Sequence, residues 1–386
     1  MNRLILIGNG FDLAHGARTS YTQFIDDFWD NEIEKIKSEL KTSNFISNDF
    51  YTVKNLDSLF LSGNRDEKID DISDYKSMKL LVNRYGNLYL NDILIEKISE
   101  MRDSGFENWV DIEQTYYDLL KTKGEYEVKQ LNINLERIKQ KLVDFLSINK
   151  PKAGVVKETL REAIFQKFDL NDFSIEFKSY FNKMKVKIDD NNSVQGQGPK
   201  ENDDFFFDSD IYYPNEILFL NFNYTDTYKR YTTLSDTAQK RKNKNMISKI
   251  DIHGSINEIK GNSIIFGYGD EMDEDYIKIE KRNNDYLENI KSIKYAETPN
   301  YKKLIKFLET DVYQVYIFGH SCGVSDRVLL NTIFEHNNCG SIKIYYHQRE
   351  KDDNFNDIVK NVSRNFKDKS KMRIRLVEKE KSSTLS

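Results

Sequence analysis

The sequence predicts an α/β fold, a parallel sheet carrying a large and mainly helical insertion. Three observations point there. Short, continuous apolar runs such as Leu4-Ile5-Leu6-Ile7 have the character of strands buried on both faces. Several of these runs end in small and polar residues rather than in hairpin turns. Between about residues 42 and 205 the apolar spacing changes to steps of three and four.

The first strand opens into Gly8-Asn9-Gly10, where the glycines admit a tight turn into a helix. Ser20-Tyr21-Thr22-Gln23 reads as a capping box, followed by Phe24, Ile25, Phe28, Trp29, Ile33, Ile36 and Leu40 at helical spacing. Within the insertion, Asn108–Lys123 predicts a helix, and Leu131, Leu135, Ile138, Leu142 and Phe145 mark another. A third is expected to start at Pro151 and run to Phe168. The polar, glycine-bearing stretch Lys187–Asp204 predicts a mobile linker. Strand-like runs then return at 217–220, 250–252, 264–266, 315–318 and 342–346, and Met372–Val377 alternates as an edge strand does. The expected organisation is a sheet domain over 1–41 and 206–378, an insertion over 42–205, and a frayed tail over 379–386.

Composition narrows the function. The 386 residues contain 58 basic and 63 acidic side chains, a formal charge of −5, which gives nucleic-acid binding no support. Two cysteines, Cys322 and Cys339, cannot form a four-thiolate zinc module or a disulfide framework. No apolar run reaches the roughly 18–20 residues of a bilayer span, and Leu4–Ile7 is too short for a signal-peptide core. The expectation is a cytoplasmic protein with no membrane contact.

Five apolar runs open into polar residues: at Gly8-Asn9-Gly10, Asn221–Thr225, His253-Gly254-Ser255, Gly267–Asp270 and Gly319-His320-Ser321. In an open parallel sheet the ligand crevice lies outside the carboxyl ends of the strands, so these endings are expected to converge on one pocket. Gly8 and Gly10 permit close backbone approach to a phosphate. His253, with small neighbours, is placed as a general base. A dehydrogenase fingerprint fails at Leu13.

Leu6-Ile7-Gly8-Asn9-Gly10-Phe11-Asp12-Leu13-Ala14-His15-Gly16 with Thr19-Ser20-Tyr21 resembles the opening of the bacteriophage abortive-infection AbiH family. Trp109–Glu113, Asn221–Thr225, Ile252–Ser255, Ile265–Gly269 and Phe318–Ser321 through Asp326 resemble that family in its order. More distantly, the glycine loop, the Asn-bearing strand end, His253-Gly254, Phe266-Gly267 and Gly319-His320-Ser321 resemble the sirtuin-like NAD-binding fold, a Rossmann-like parallel sheet, here without its zinc module. That resemblance implies an NAD hydrolase releasing nicotinamide and ADP-ribose, with Asn223 and His253 as the catalytic pair. It implies NAD binding by Gly8, Asn9, Gly10, Phe11, Asp12, Thr225, Gly267, Gly319, Ser321 and Asp326, with no metal. The sequence departs from sirtuins at Thr225, where they carry aspartate, and at Phe11-Asp12, where they carry small residues and arginine.

Two other classes remain open in the residues alone. One is a metal-dependent nuclease or phosphodiesterase using Asp12, Asp226, Asp251, Asp270 and Asp326. The other is a non-catalytic sensor of NAD or ADP-ribose. The insertion is expected to serve self-association or a defence-system partner.

Overall fold

The computed structural model describes residues 1–61, 65–103, 109–150, 156–180, 212–233, 246–257 and 263–385. The linker expected at Lys187–Asp204 and the helix start expected at Pro151 lie outside the described residues.

Six strands form one all-parallel sheet: β1 (Asn2–Ile7), β5 (Glu216–Asn221), β6 (Met246–Asp251), β7 (Tyr313–Phe318), β8 (Cys339–Tyr346) and β9 (Ser383–Thr384). Their spatial order is β6-β5-β1-β7-β8-β9. Counted within this sheet alone, that is 3-2-1-4-5-6, and the direction of winding reverses between β1 and β7. The register is level at the carboxyl end. Asp251 pairs Asn221, Asn221 pairs Ile7, Ile7 pairs Phe318, and Phe318 pairs Tyr345. The polar motifs therefore leave the sheet from one row, which is what brings them together.

Alternation sorts the strand side chains into two layers. Leu4, Leu6, Leu218, Leu220, Val315, Ile317, Ile342 and Ile344 face helices α7 (Asn300–Thr310), α8 (Arg327–Glu335) and α9 (Phe355–Asn365). Ile5, Ile7, Ile217, Phe219, Tyr316 and Phe318 face the opposite way, against α1 (Asn9–Ala14) and α6 (Glu158–Phe165). Covering both faces explains the unbroken apolar runs.

A separate core is built by α2 (Tyr21–Leu40), α3 (Ile93–Asp103), α4 (Trp109–Thr122) and α5 (Glu125–Asn149), joined by Phe266, Tyr268, Ile279 and Tyr286. The capping box forms as expected: the Ser20 hydroxyl accepts from the Gln23 N–H while the Gln23 amide oxygen accepts from the Ser20 N–H. The apolar clusters cut across the boundaries expected from sequence. Helix α2 packs with the insertion, whereas Leu160, Ile164 and Phe165 of the insertion pack on the sheet. The insertion also holds a small antiparallel sheet, β2 (Ile46–Ser47), β3 (Tyr51–Lys54) and β4 (Asn87–Leu90), which helical spacing did not announce.

Three local expectations are corrected. Ile264–Phe266 joins no ladder; the Ile265 N–H bonds only the His253 carbonyl, because the chain has already turned away from the edge of β6. Met372–Val377 is largely helical, in α10 (Lys369–Arg375), because Asp368 caps the N–H groups of Ser370 and Lys371 and Met372 and Leu376 also stand four apart. The tail is not frayed. Strand β9 pairs β8, and Leu385 is buried.

The ends of β1 and β7 touch backbone to backbone. The Gly8 N–H donates to the Phe318 carbonyl at 3.0 Å and the Gly10 N–H to the Gly319 carbonyl at 2.9 Å. Gly319 has φ +70°, and a Cβ there would lie 2.1 Å from the Phe11 nitrogen. Gly319→Ala is expected to destabilise the protein by about 3 kcal/mol or more, since it combines a left-handed conformation with an unavoidable clash. Urea unfolding measures this.

Candidate functional site

The strand ends enclose a cavity of about 910 Å³, within the roughly 300–1,000 Å³ of small-molecule sites. Its lining includes Gly8, Asn9, Gly10, Asp12, Asn223, Thr225, His253, Gly319, Ser321 and Asp326. The structure therefore brings Asn223 and His253 to one cavity, each two residues beyond the paired positions Asn221 and Asp251. The strand end of β5 is held rigid by Asn221, whose amide donates to the carbonyls of Asn223 and Thr225 and to Asp251. The Asn223 amide donates to the Gly8 carbonyl at 2.9 Å, fixing its carboxamide against the glycine loop.

Two expected ligand contacts are placed elsewhere. Phe11 is fully buried beneath the cavity, stacked on Phe318 and edge-on to Tyr231. Gly267 is absent from the lining and packs against the Asn289 carbonyl. The N–H groups of Gly8 and Gly10 are bonded to β7, so these glycines join strand ends rather than offer donors. His15 is structural: one ring nitrogen bonds the Phe11 carbonyl at 2.7 Å and the other the Tyr231 hydroxyl at 2.6 Å.

The deepest part of the site is an ionic cluster. Asp326 Oδ1 lies 2.9 Å from Lys291 Nζ and 3.2 Å from His253 Nε2, and Oδ2 lies 3.6 Å from His320 Nε2. Lys291 also meets Glu113 of α4 at 2.8 Å. The Tyr295 hydroxyl lies 3.0 Å from His253 Nε2. Lys291 and Tyr295 stand four apart on one short helical segment, so both point the same way. All of these side chains are buried.

Burial opposes ionisation of Asp326, but the Lys291 ammonium and His253 overcome it and hold its carboxyl well below the ordinary range. Burial likewise opposes the Lys291 ammonium, and the Asp326 and Glu113 carboxylates hold its pKa above the usual lysine value. The His320 Nδ1 accepts the Cys322 N–H at 2.9 Å, which puts the His320 proton on Nε2, facing Asp326. The floor thus sets two carboxylates, Glu113 and Asp326, around one ammonium, Lys291.

Asp12 forms a second buried acid, accepting from the Thr225 hydroxyl. Burial raises its pKa to about 6, opposed by hydrogen bonds from Thr225 and Thr227 and by Arg230. The remaining carboxylates considered for a metal site have other partners. Asp270 pairs Arg327 at 3.2 Å, Asp226 pairs Lys229 at 3.4 Å, and Asp251 holds Asn221. Among the described residues, no group of three or more His, Cys, Asp or Glu side chains is arranged to hold a metal ion.

Glu113, Lys291 and Tyr295 are site residues that residue-by-residue reasoning missed. Glu113 ends the Trp109–Glu113 motif, a signal that was present; Lys291 sits in a lysine-rich stretch with nothing to single it out.

The chain is an α/β protein with a cavity outside the carboxyl ends of a parallel sheet, floored by a buried ionic cluster. The family model described as bacteriophage abortive infection AbiH matches residues 4–348, and the chain belongs to that family. No curated protein and no solved structure matches it. Among the described residues, no helix is long and apolar enough to cross a membrane.

Two outcomes follow from the charges. Lys291→Met leaves Glu113 and Asp326 buried without their counter-ion and is expected to cost about 3–5 kcal/mol in urea unfolding. For Asp12, the folded pKa lies above the unfolded one, so its contribution favours folding at low pH and is lost as pH rises through about 6. Relative to wild type, Asp12→Asn is expected to gain about 2 kcal/mol between pH 4.5 and pH 7.5, read from paired unfolding curves.

Proposed function

We propose that this abortive-infection protein binds NAD and hydrolyses its nicotinamide–ribose bond. The observation that carries this is the meeting of Asn223, His253 and Asp326 in one cavity whose floor sets two carboxylates around one ammonium. The strand order, reversing between β1 and β7, is that of Rossmann-like nucleotide-binding sheets and supports the same conclusion.

The chemistry follows from the charges. The nicotinamide ring of NAD is cationic, and the ribose gains positive character as the bond from its C1′ to the ring nitrogen breaks. The floor carboxylates stabilise that developing charge. The bonding pair moves to the ring nitrogen and nicotinamide leaves neutral. Water adds to C1′ and gives up a proton, leaving ADP-ribose. With Asp326 ionised and facing Nε2, the neutral imidazole of His253 carries its proton there, and Nδ1 holds the lone pair that accepts the proton from water. Asn223, already fixed against Gly8, orients the ribose and the water. In this reading Asp326 positions His253. Glu113 ties the helical block to this centre, which makes that block the place where a partner or a second copy would govern activity.

The test is incubation of the purified protein with NAD, alone and with phage-infected cell extract, followed by chromatography for nicotinamide and ADP-ribose. Wild type is expected to release both. Asn223→Ala, His253→Ala and Asp326→Asn are each expected to lower the rate by about 10²-fold or more. Intact NAD under both conditions, beside a working control hydrolase, refutes the activity.

A further inference from the structure

The cavity has a second charged end. Beyond the loop Gly319–Ser321 its lining continues over His347, Arg349, Asn361 and Arg364, which come from the exit of β8 and from α9. Most charges there cancel locally. Arg349 faces Asp352 at 3.5 Å, and Asp357 faces Lys360 at 3.1 Å. Arg364 differs. Its guanidinium donates to the Asn361 amide oxygen, and it meets no carboxylate among the described residues. Asn361 in turn donates from its amide nitrogen to the Ser321 carbonyl at 2.8 Å.

A chain of two hydrogen bonds therefore ties Arg364 to the loop that leads through His320 to the Asp326 cluster. One guanidinium nitrogen, Nη1, donates to Asn361, which restricts the long side chain. The other donors are left to a ligand in the fork geometry that suits phosphate oxygens. The two ends of the cavity differ in charge: two carboxylates around one ammonium at the buried floor, and an uncompensated guanidinium at the outer wall. The glycine loop, the usual place to look for phosphate donors, has the Gly8 and Gly10 N–H groups tied up.

We propose that Arg364, held by Asn361, is a phosphate subsite, and that the cavity selects ligands in which a pyrophosphate is joined to the cationic ribosyl centre. This deepens the dinucleotide reading and rests on it for the identity of the buried end. The subsite itself is tested without any turnover.

The probe is ADP, which carries the pyrophosphate and lacks the nicotinamide ribose, titrated calorimetrically into wild type, Arg364→Glu, Arg364→Lys and His253→Ala. Wild type is expected to bind ADP, with affinity falling as salt rises. Arg364→Glu is expected to weaken binding by about tenfold or more, Arg364→Lys by less because the point charge survives without the fork, and His253→Ala hardly at all. Thermal melting of each variant establishes that it is folded; Arg364 is exposed, so its replacement leaves the core intact. Equal affinity of wild type and Arg364→Glu for ADP overturns the subsite, as does failure of wild type to bind ADP. ADP binding that depends on Arg364, together with NAD left intact by wild type, upholds the subsite and removes the hydrolase.

Discussion

The constraint on which the site depends is the burial of the Lys291 ammonium between two carboxylates from different parts of the chain. Glu113 comes from α4 in the helical block, Asp326 from the turn after β7, and Lys291 from the segment between them in space. None of the three tolerates burial alone; together each offsets the others' charge. The pairing fixes where α4 lies over the carboxyl ends of the sheet, and it fixes the carboxylate that orients His253. Packing of the helical core and chemistry of the cavity thus meet in a single ion.

The arrangement divides labour between regular and irregular structure. The sheet supplies a level row of strand ends, and its register alone brings Asn223, His253, Gly8 and Gly319 together. Charge comes from elements outside the ladder: the short helical segment bearing Lys291 and Tyr295, the loop bearing His320 and Asp326, and α4. The charged groups of the cavity, the Lys291 cluster within and Arg364 outside, arise from these additions.

Much of this was legible in the residues. Leu4–Ile7 could be assigned to a doubly buried strand because nothing polar interrupts it, and Ser20–Gln23 because a capping box is a local device whose partners are three apart. Four of the five endings converge as their shared pattern suggested; Gly267–Asp270 does not, because Ile264–Phe266 joins no ladder and that ending is absent from the cavity lining. The Lys291–Glu113 contact was not legible, because it joins residues 178 positions apart and a lysine among lysines carries no local mark. Met372–Val377 misled because the same apolar positions satisfy a two-residue and a four-residue period, and the cap at Asp368 decides between them. Gly8 and Gly10 are sites of close approach, and in this fold their N–H groups meet the Phe318 and Gly319 carbonyls.

That last contact sets a limit on how this scaffold can diversify. Where main chain rests on main chain between β1 and β7, the centre of the crevice has no side chain to exchange. Any change of ligand preference on this scaffold therefore falls to the walls, through residues such as those around Arg364.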